Sequence, residues 1–234
     1  ITSYHLNDVL KADESMPKFI ADEFVDFLGK LSIKTNSVVA PVVDIEISEG
    51  KKVAKTWGSA VFKKDKLLYF LDGEESQISL LIRNKLKGGV FNIEEKRFGE
   101  KTKITLEVFS SKVKLKPVME NGQVAMQIDA KIDVGFAELE SSINFIDKDK
   151  RELLKKDMEQ LLVKKMEYVV KKTQKQSACD IFDFNGAIQR KMPDYWKGIE
   201  PKWDEIYKNM PVHAKVTLQI KLSSSTQKPI KIGE

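Results

Sequence analysis

The central part of the chain alternates between apolar and polar residues, as a half-exposed β-strand requires. Even-numbered positions from 124 to 136 are apolar, and most odd-numbered positions between them are polar or charged. The same parity runs from 212 to 222, and shorter alternations occupy residues 104–109 and 113–117. Because side chains of a strand point to opposite faces in turn, these segments predict an antiparallel sheet with one apolar and one solvated face. Asn121-Gly122 predicts a tight hairpin turn within it.

A long amphipathic segment is predicted to cover the apolar face of this sheet. From Asp147 to Gln176, apolar residues recur at helical spacing on one face: Leu154, Met158, Leu161, Leu162, Tyr168 and Val169. Lys165 falls on that face too, so we expect its stem to pack there while its ammonium reaches out. A helix of this length extends over about 42 Å. A shorter helix is predicted over residues 201–207, before the last strand.

The first third of the chain predicts a mixture of helix and strands. Apolar residues from Phe19 to Leu31 recur at helical spacing after Pro17, a residue type favoured at the start of a helix. Residues 38–47 are rich in β-branched side chains and predict a strand, whose first half Pro41 limits to a sheet edge or a bend. Two short strands follow, over residues 56–63 and 66–71.

A capped helix is predicted to complete this part of the chain. Glu75 lies three positions after Asp72, which is the spacing of a capping box. The helix is predicted over residues 73–87, and Gly88-Gly89 is predicted to end it in a left-handed conformation. The pattern therefore predicts an α+β fold with two mixed domains, 1–87 and 88–234. The second is predicted to be a twisted antiparallel sheet with the long helix packed across one face.

Composition excludes several classes of protein. Hydrophobic residues make up 41% of the 234 positions, which is ordinary for a globular chain, and no apolar run reaches the roughly 18 residues that span a bilayer. The net charge of +5 comes from 36 Lys and only 4 Arg against 35 acidic residues, whereas nucleic-acid readers concentrate Arg. We therefore expect no nucleic-acid partner. A single cysteine, Cys179, excludes an internal disulfide, and two histidines leave little material for a metal site.

The polar residues form no catalytic motif. The metalloprotease, nucleophile-elbow, phosphate-loop and dinucleotide-binding patterns are all missing from the sequence. Asp129 and Asp133 flank Lys131 on the predicted solvated face, about 13 Å apart, which is too far for an acid–base pair acting on one bond. We therefore predict no catalytic residue, no cofactor and no metal site, and we expect the chain not to be an enzyme.

Four further features have a structural interpretation that we favour over a functional one. An acidic group could bind a cation, but its place at a helix start explains it: Asp72, Glu74 and Glu75. Cys179 is interpreted as a half-buried free thiol and His213 as an exposed strand residue. An aromatic cluster could stack on nucleic acid or on a protein, but we expect it to anchor the loop before the last strand: Tyr195, Trp196, Trp203 and Tyr207.

Two segments of the sequence resemble a known protein family. The first is Trp57–Leu67, followed by Leu71–Ser76. The second consists of Asp180–Phe184, Arg190–Pro193 and Trp196-Lys197, followed by Trp203 and the strand over 212–222. In this order, with a long charged helix between them, they resemble the Ger(x)C family, the C subunit of the spore germinant receptors. The resemblance covers the chain from about residue 40. The chain departs from the family where glycine is common, at Tyr69, Asp183 and Asn185.

The resemblance implies a lipoprotein, made with a leader and a lipidated cysteine near its mature N-terminus. Because neither is present, we expect this chain to lack the anchor and part of the first domain. The resemblance also implies a place on the outer face of the spore inner membrane, where two integral-membrane subunits, A and B, are the partners in a response to nutrients. No enzymatic activity is implied. One lipid chain binds a membrane only weakly, so partner contacts or a basic patch must strengthen the attachment. The surplus of lysines agrees with a basic patch.

Two functions stay open at this point. The first is a non-catalytic receptor subunit that scaffolds or couples the response of the A and B subunits. Its predicted contact residues lie in the first hairpin and in the loop after the long helix, where turn formation and core packing are the alternative roles: Phe62, Asp65, Lys66, Asp180, Phe182, Arg190, Lys191 and Trp196. The second function is an extracytoplasmic module that binds a small-molecule germinant itself, which would require convergent polar groups in a deep apolar pocket.

Overall fold

A computed structural model describes residues 17–21, 27–29, 37–95, 102–140 and 147–221. The helix predicted between Phe19 and Leu31 falls mostly outside these ranges. Within them, residues 17–21 are irregular and residues 27–29 are helical. The predicted α+β class is confirmed, with antiparallel strand pairs and a long helix.

The first sheet is antiparallel and has three strands in the order β1 (Ser37–Ser48), β2 (Lys51–Lys63) and β3 (Lys66–Asp72). Pro41 lies on β1, which is an edge strand as its proline predicts. Strand β1 is close to its predicted bounds, whereas β2 begins five residues before its predicted start. The two strands continue past the end of β3 as a two-stranded arm. Most side chains of this arm are exposed, including those of Ile45 and Ile47.

Helix α1 (Gly73–Ile82) begins with the predicted capping box. Oδ1 of Asp72 accepts a hydrogen bond from the Glu75 backbone N at 2.8 Å, and Oε2 of Glu75 accepts one from the Asp72 backbone N at 2.9 Å. These two bonds satisfy N–H groups that have no partner within the helix.

The end of α1 was wrongly predicted at residue 87. The helix ends at Ile82, and Asn84 then takes a left-handed backbone with φ of +56°. Its side-chain Oδ1 accepts a hydrogen bond from the Val113 backbone N at 2.7 Å. Asparagine tolerates a left-handed conformation better than most residues do. The hydrogen bond to Val113 therefore stabilises an end at Ile82 more than the helix propensity of the next residues stabilises a longer helix. Gly89 has a positive φ, as predicted for a glycine there, but it lies in the loop beyond.

The second sheet contains β4 (Val90–Glu95), β5 (Thr102–Glu120), β6 (Gln123–Glu140) and β7 (Val212–Lys221), in that order. Asn121 and Gly122 both have positive φ and form the predicted hairpin turn between β5 and β6. The even-numbered residues of β6 from 124 to 134 are buried, which confirms the predicted apolar face.

One strand pairing differs from the prediction. β7 lies parallel to β6, with Val212 opposite Met126, whereas the other pairs of this sheet are antiparallel. A parallel neighbour requires a long crossover, which the helices between Glu140 and Val212 provide. Alternation of apolar and polar residues is the same for both strand directions, so the sequence pattern could not distinguish them.

Helix α2 (Lys148–Ser177) covers the apolar face of the second sheet. It begins at the cap residue Asp147, close to the predicted start, and ends where Ala178 takes a left-handed backbone. Its buried residues are Leu154, Met158, Leu162, Met166, Val169, Val170 and Thr173. Tyr168 was wrongly predicted on this face and is 62% exposed. Six residues after Leu162 it lies about 120° around the helix from the buried stripe.

Short helices fill the connection between α2 and β7. They are α3 (Phe184–Lys191), α4 (Pro193–Ile199), a 3₁₀ turn (Glu200–Lys202) and α5 (Trp203–Asn209). The last of these lies close to the helix predicted over residues 201–207. One cluster of buried side chains runs from Val61 in the first sheet to Leu218 in the second. The division into domains 1–87 and 88–234 stays a prediction.

Candidate docking site

A buried carboxylate fixes the loop between α2 and α3. Oδ1 of Asp180 accepts hydrogen bonds from the backbone N of Phe182 at 3.0 Å and of Phe184 at 3.2 Å, and Oδ2 accepts one from Asn185 at 2.8 Å. These donors include the first N–H groups of α3, which have no partner within the helix. Burial raises the pKa of Asp180 to about 6, against the opposing effect of the three hydrogen bonds.

The loop has a left-handed residue at Asp183, one of the positions where the resemblance implies glycine. Asp183 has φ of +67° and makes no side-chain cap for α3. Its Oδ2 instead accepts a hydrogen bond from Nη2 of Arg190 at 2.9 Å, and both side chains are exposed. Because Asp180 accepts the hydrogen bonds at the start of α3, the carboxylate of Asp183 can pair with Arg190 on the exposed side of that helix.

Asp180 is expected to make the protein less stable as pH rises from about 4 to 6. Its pKa lies near 3.8 in an unfolded chain and at about 6 in the fold, so the folded state binds the proton more tightly in this window. Stability therefore falls as pH rises through it, by roughly 3 kcal/mol in total. Urea denaturation of wild type and Asp180→Asn at pH 4 to 7 should show this slope in the wild type only. Asp183→Asn is the control and should retain it. Equal slopes for wild type and Asp180→Asn would contradict the prediction.

The aromatic cluster behind the loop is part of the core. The rings of Trp196 and Trp203 meet edge to face with centroids 5.4 Å apart, and Trp203 lies 5.8 Å from Tyr207. All three side chains are buried. Burial raises the pKa of Tyr207 well above its usual value, and its hydroxyl is hydrogen-bonded to Thr173 of α2. The favoured interpretation, that this cluster anchors the loop, is confirmed.

The structure places the eight predicted contact residues in different environments. The interior contains Asp180, Phe182 and Trp196. Phe62 is partly buried, and the exposed residues are Asp65, Lys66, Arg190 and Lys191. The buried three cap α3 or fill the core, which is the alternative role that the sequence left open. Contact between the exposed four and a partner stays a prediction.

The hairpin and the loop are connected through α5. Nζ of Lys63, next to Phe62, lies 2.6 Å from Oδ2 of Asp204. Asp204 follows Trp203, whose ring packs on Trp196 at the end of the loop region. The structure thus connects the two segments that carry the family resemblance, although they are more than a hundred residues apart in sequence.

A cavity of about 330 Å³ opens beside Arg190 and Lys191, between the end of α1, strand β5 and helix α3. Apolar lining comes from Val113, Leu115 and Phe182, among others. Four cationic residues line it against one carboxylate: Arg83, Lys85, Arg190 and Lys191, with Asp183. This volume is at the lower end of small-molecule pockets, about 300–1,000 Å³. Sequence reasoning did not place Arg83 and Lys85 beside the loop, because they follow α1, about a hundred residues earlier in the chain.

The remaining candidates have structural roles. Glu75 pairs with Lys172 and Glu74 with Lys165, which confirms that the acidic group serves the start of α1 and that the Lys165 ammonium reaches outward. Cys179 is fully buried rather than half-buried. His213 is exposed, with Nε2 2.9 Å from Oε2 of Glu120. Within the described ranges, the acidic, histidine and cysteine side chains form no group of three that could hold a metal ion.

A family model confirms the resemblance inferred from the two segments. The model described as "Spore germination B3/ GerAC like, C-terminal" matches residues 57–224. This range includes the hairpin, the long helix, the loop and the last strand.

Individual relatives agree with the family model. Spore germination protein B3 of Bacillus subtilis (strain 168) is 27% identical over 183 residues, which are 77% of this chain and 48% of that protein. The putative spore germination protein YfkR of the same organism is 24% identical over 179 residues, or 74% of this chain and 46% of its own length. The chain therefore spans about half the length of these curated relatives.

A solved structure shares the fold. The match is to the "Crystal Structure of the GerBC protein", with 26% identity and a TM-score of 0.69. It covers 82% of this chain and 60% of that chain.

Proposed function

Because the chain belongs to the B3/GerAC-like family of spore germination proteins, we propose that it serves as the C subunit of a spore germinant receptor, in complex with integral-membrane A and B subunits. The observation that carries the proposal is the family match over residues 57–224, which takes in both segments of the predicted contact surface. The subunit acts by docking and supports nutrient-triggered germination without catalysing a reaction.

The polar chemistry of the interior supports a docking role. Asp180 accepts three backbone hydrogen bonds, and Glu75 is held by Lys172 and by the cap of α1. These buried charges are used to hold the fold together. The exposed polar residues of the hairpin and loop are then the groups available to a partner.

The proposed location is the outer face of the spore inner membrane, with attachment through an N-terminal lipid. Within the described ranges no helix is both long and apolar enough to cross a bilayer. Attachment through a lipid and through the A and B subunits would give two membrane signals, which stable anchoring requires.

Reversal of two charges in the loop tests the docking surface. We expect Arg190→Glu/Lys191→Glu in the full lipoprotein to reduce co-purification of the A and B subunits from spore membranes by about tenfold. The reason is that the two introduced carboxylates would repel the acidic partner groups that the two cations attract. The matched control is Lys171→Glu/Lys175→Glu on α2, which makes the same change in net charge. Trp196 is unsuitable for this test because it is buried and its replacement would disturb the core.

The outcomes of this test separate two levels of the proposal. Unchanged co-purification of both double variants would remove the loop from the interface, and Lys66→Glu would then test the hairpin. Failure of the wild-type lipoprotein to co-purify with either membrane subunit would overturn the proposed function.

The cationic cavity favours one second candidate, an extracytoplasmic module that binds a germinant. Its apolar lining and four cations could hold a small anionic or zwitterionic molecule. Calorimetry with amino acids and sugars should then show heat for the wild type and less for Lys191→Glu. Absence of both heat and thermal shift would exclude this candidate and leave the receptor-subunit proposal intact.

A further inference from the structure

The face of the second sheet that points away from α2 carries more lysines than carboxylates. Six lysines project from it, on three adjacent strands: Lys112, Lys114, Lys116, Lys131, Lys215 and Lys221. Two carboxylates lie among these lysines, those of Asp129 and Asp133. Two more lie at the margins of the same face, those of Glu107 and of Glu120, and Glu120 contacts His213. We call this surface the lysine face.

The two carboxylates among the six lysines are already engaged. Asp129 forms an ion pair with Lys116. Oδ2 of Asp133 lies 2.7 Å from Nζ of Lys221, which lowers the pKa of that carboxyl. The other four lysines form no ion pair with any residue that the structure describes: Lys112, Lys114, Lys131 and Lys215.

Only part of this lysine arrangement serves the stability of the sheet. Lys112 lies directly opposite Lys131, and like charges in that relation are destabilising. Lys114 and Lys215 both lie opposite Asp129, whose ion pair is with Lys116. Three lysines thus share the single negative charge of Asp129, and two others face each other. The surplus therefore indicates an anionic partner outside the protein.

An aromatic side chain is held next to the lysine face. Phe109 is the extra residue of a bulge in β5, between Val108 and Ser110, and its side chain is 47% exposed. Its ring lies over Gly135 of β6, where a Cβ would come within 2.4 Å of the Phe109 Cζ atom. The glycine thus makes room for an exposed ring at the edge of the charged surface. Amphipathic helices that bind at the boundary between lipid and water combine basic residues with exposed phenylalanine, and this sheet face presents the same two residue types.

We propose that the lysine face binds the surface of a membrane that contains anionic phospholipid, with Phe109 in contact with the headgroup region. The inference rests on the proposed function, which places the chain beside a membrane. The four lysines lie on three strands of one sheet face, so they can meet several headgroups at once, as a bilayer requires and a single small anion does not. Each lysine near an anionic surface raises the binding constant about fivefold.

Vesicle binding tests the inference directly. The full 234-residue chain is sedimented with vesicles of phosphatidylcholine alone or mixed with phosphatidylglycerol. We expect binding to the mixed vesicles only, and we expect added salt to weaken it. Lys112→Glu/Lys215→Glu should reduce the binding constant at least about tenfold. Lys171→Glu/Lys175→Glu on α2 changes the net charge equally and should have little effect.

A single variant separates lipid binding from misfolding. Lys112→Glu faces Lys131 with an opposite charge, so we expect it to raise the melting temperature by about 1–3 °C while it weakens vesicle binding. Phe109→Ser should also weaken binding without a change in net charge.

The inference is overturned if the wild type binds no vesicle, or if it binds neutral and mixed vesicles equally. It is also overturned if the α2 control variant loses as much binding as the lysine-face variant. If the wild type binds no vesicle while the A and B subunits still co-purify with it, the lipid-binding inference is wrong and the proposed receptor-subunit function stands. If the lysine-face variant loses the subunits and the wild type binds no vesicle, the anionic partner is a protein.

Discussion

Replacement of Lys172 by methionine is expected to lower the free energy of unfolding by about 3–5 kcal/mol. Nζ of Lys172 in α2 lies 2.6 Å from both carboxylate oxygens of Glu75 in α1. The two side chains are only 19% and 10% exposed. Without the ammonium, Glu75 would remain as a buried charge with no counter-ion. Urea denaturation near neutral pH measures the loss.

Two comparisons identify the cause of that loss. Glu75→Gln together with Lys172→Met should recover most of the stability, because a neutral amide oxygen can still accept the capping hydrogen bond of Asp72. Lys165→Met removes the neighbouring ion pair with Glu74, whose side chain is 64% exposed, and should cost less than about 1 kcal/mol. If the double variant is no more stable than Lys172→Met alone, the unpaired charge is not the cause.

Gly58→Ala is expected to cost on the order of 3 kcal/mol. A Cβ on Gly58 would lie 2.0 Å from the carbonyl oxygen of Leu71, on the neighbouring strand β3. The obstacle is backbone within a hydrogen-bonded sheet, opposite Asp72 at the start of α1, so it cannot move aside as a flexible side chain would. The two strands would have to separate locally. Thermal and urea denaturation measure the effect.

A second glycine provides a matched control for this prediction. Gly198 lies in α4 with no atom within 4 Å of where its Cβ would be. Gly198→Ala should therefore stabilise the protein by about 0.5–1 kcal/mol, because alanine restricts the unfolded chain and favours a helix. If both substitutions have the same effect, the close approach at Gly58 is not a real constraint.

The importance of Gly58 gives physical meaning to the first family segment. Trp57-Gly58 begins that segment, and Gly58 pairs with Asp72, where the second part of the segment starts. The first family segment thus marks the position where the backbones of β2 and β3 approach closely and where α1 begins. It predicts the fold well for this reason, and it does not identify a contact with a partner.

The sequence predicted those elements whose pattern is local. The alternation in β6, the hairpin at Asn121 and the capping box at Asp72 depend on residues within a few positions of one another. The end of α1 was missed because it depends on a hydrogen bond between Asn84 and a strand about thirty residues away. The parallel direction of β7 was missed because side-chain alternation carries no information on direction.

The candidate site was predicted only in part for a similar reason. A loop that mixes acids and aromatic residues can dock a partner or hold itself together, and its composition is the same in both cases. Asp180 and Trp196 proved to be interior residues because the chain folds back over them. The sequence places Lys131 between two acidic residues on the solvated face, yet the direct opposition of Lys112 and Lys131 depends on the register across the hairpin and its bulge.

The parallel pairing of β7 has a consequence for synthesis in the cell. β6 is an inner strand of the finished sheet, but the strand that covers its far edge begins only at Val212, more than seventy residues after β6 ends. Until that strand has been added to the sheet, β6 presents a long open edge that can pair with another unfolded chain. Contacts between residues so far apart also make folding slow. Maturation of this protein is therefore a stage at which aggregation competes with folding.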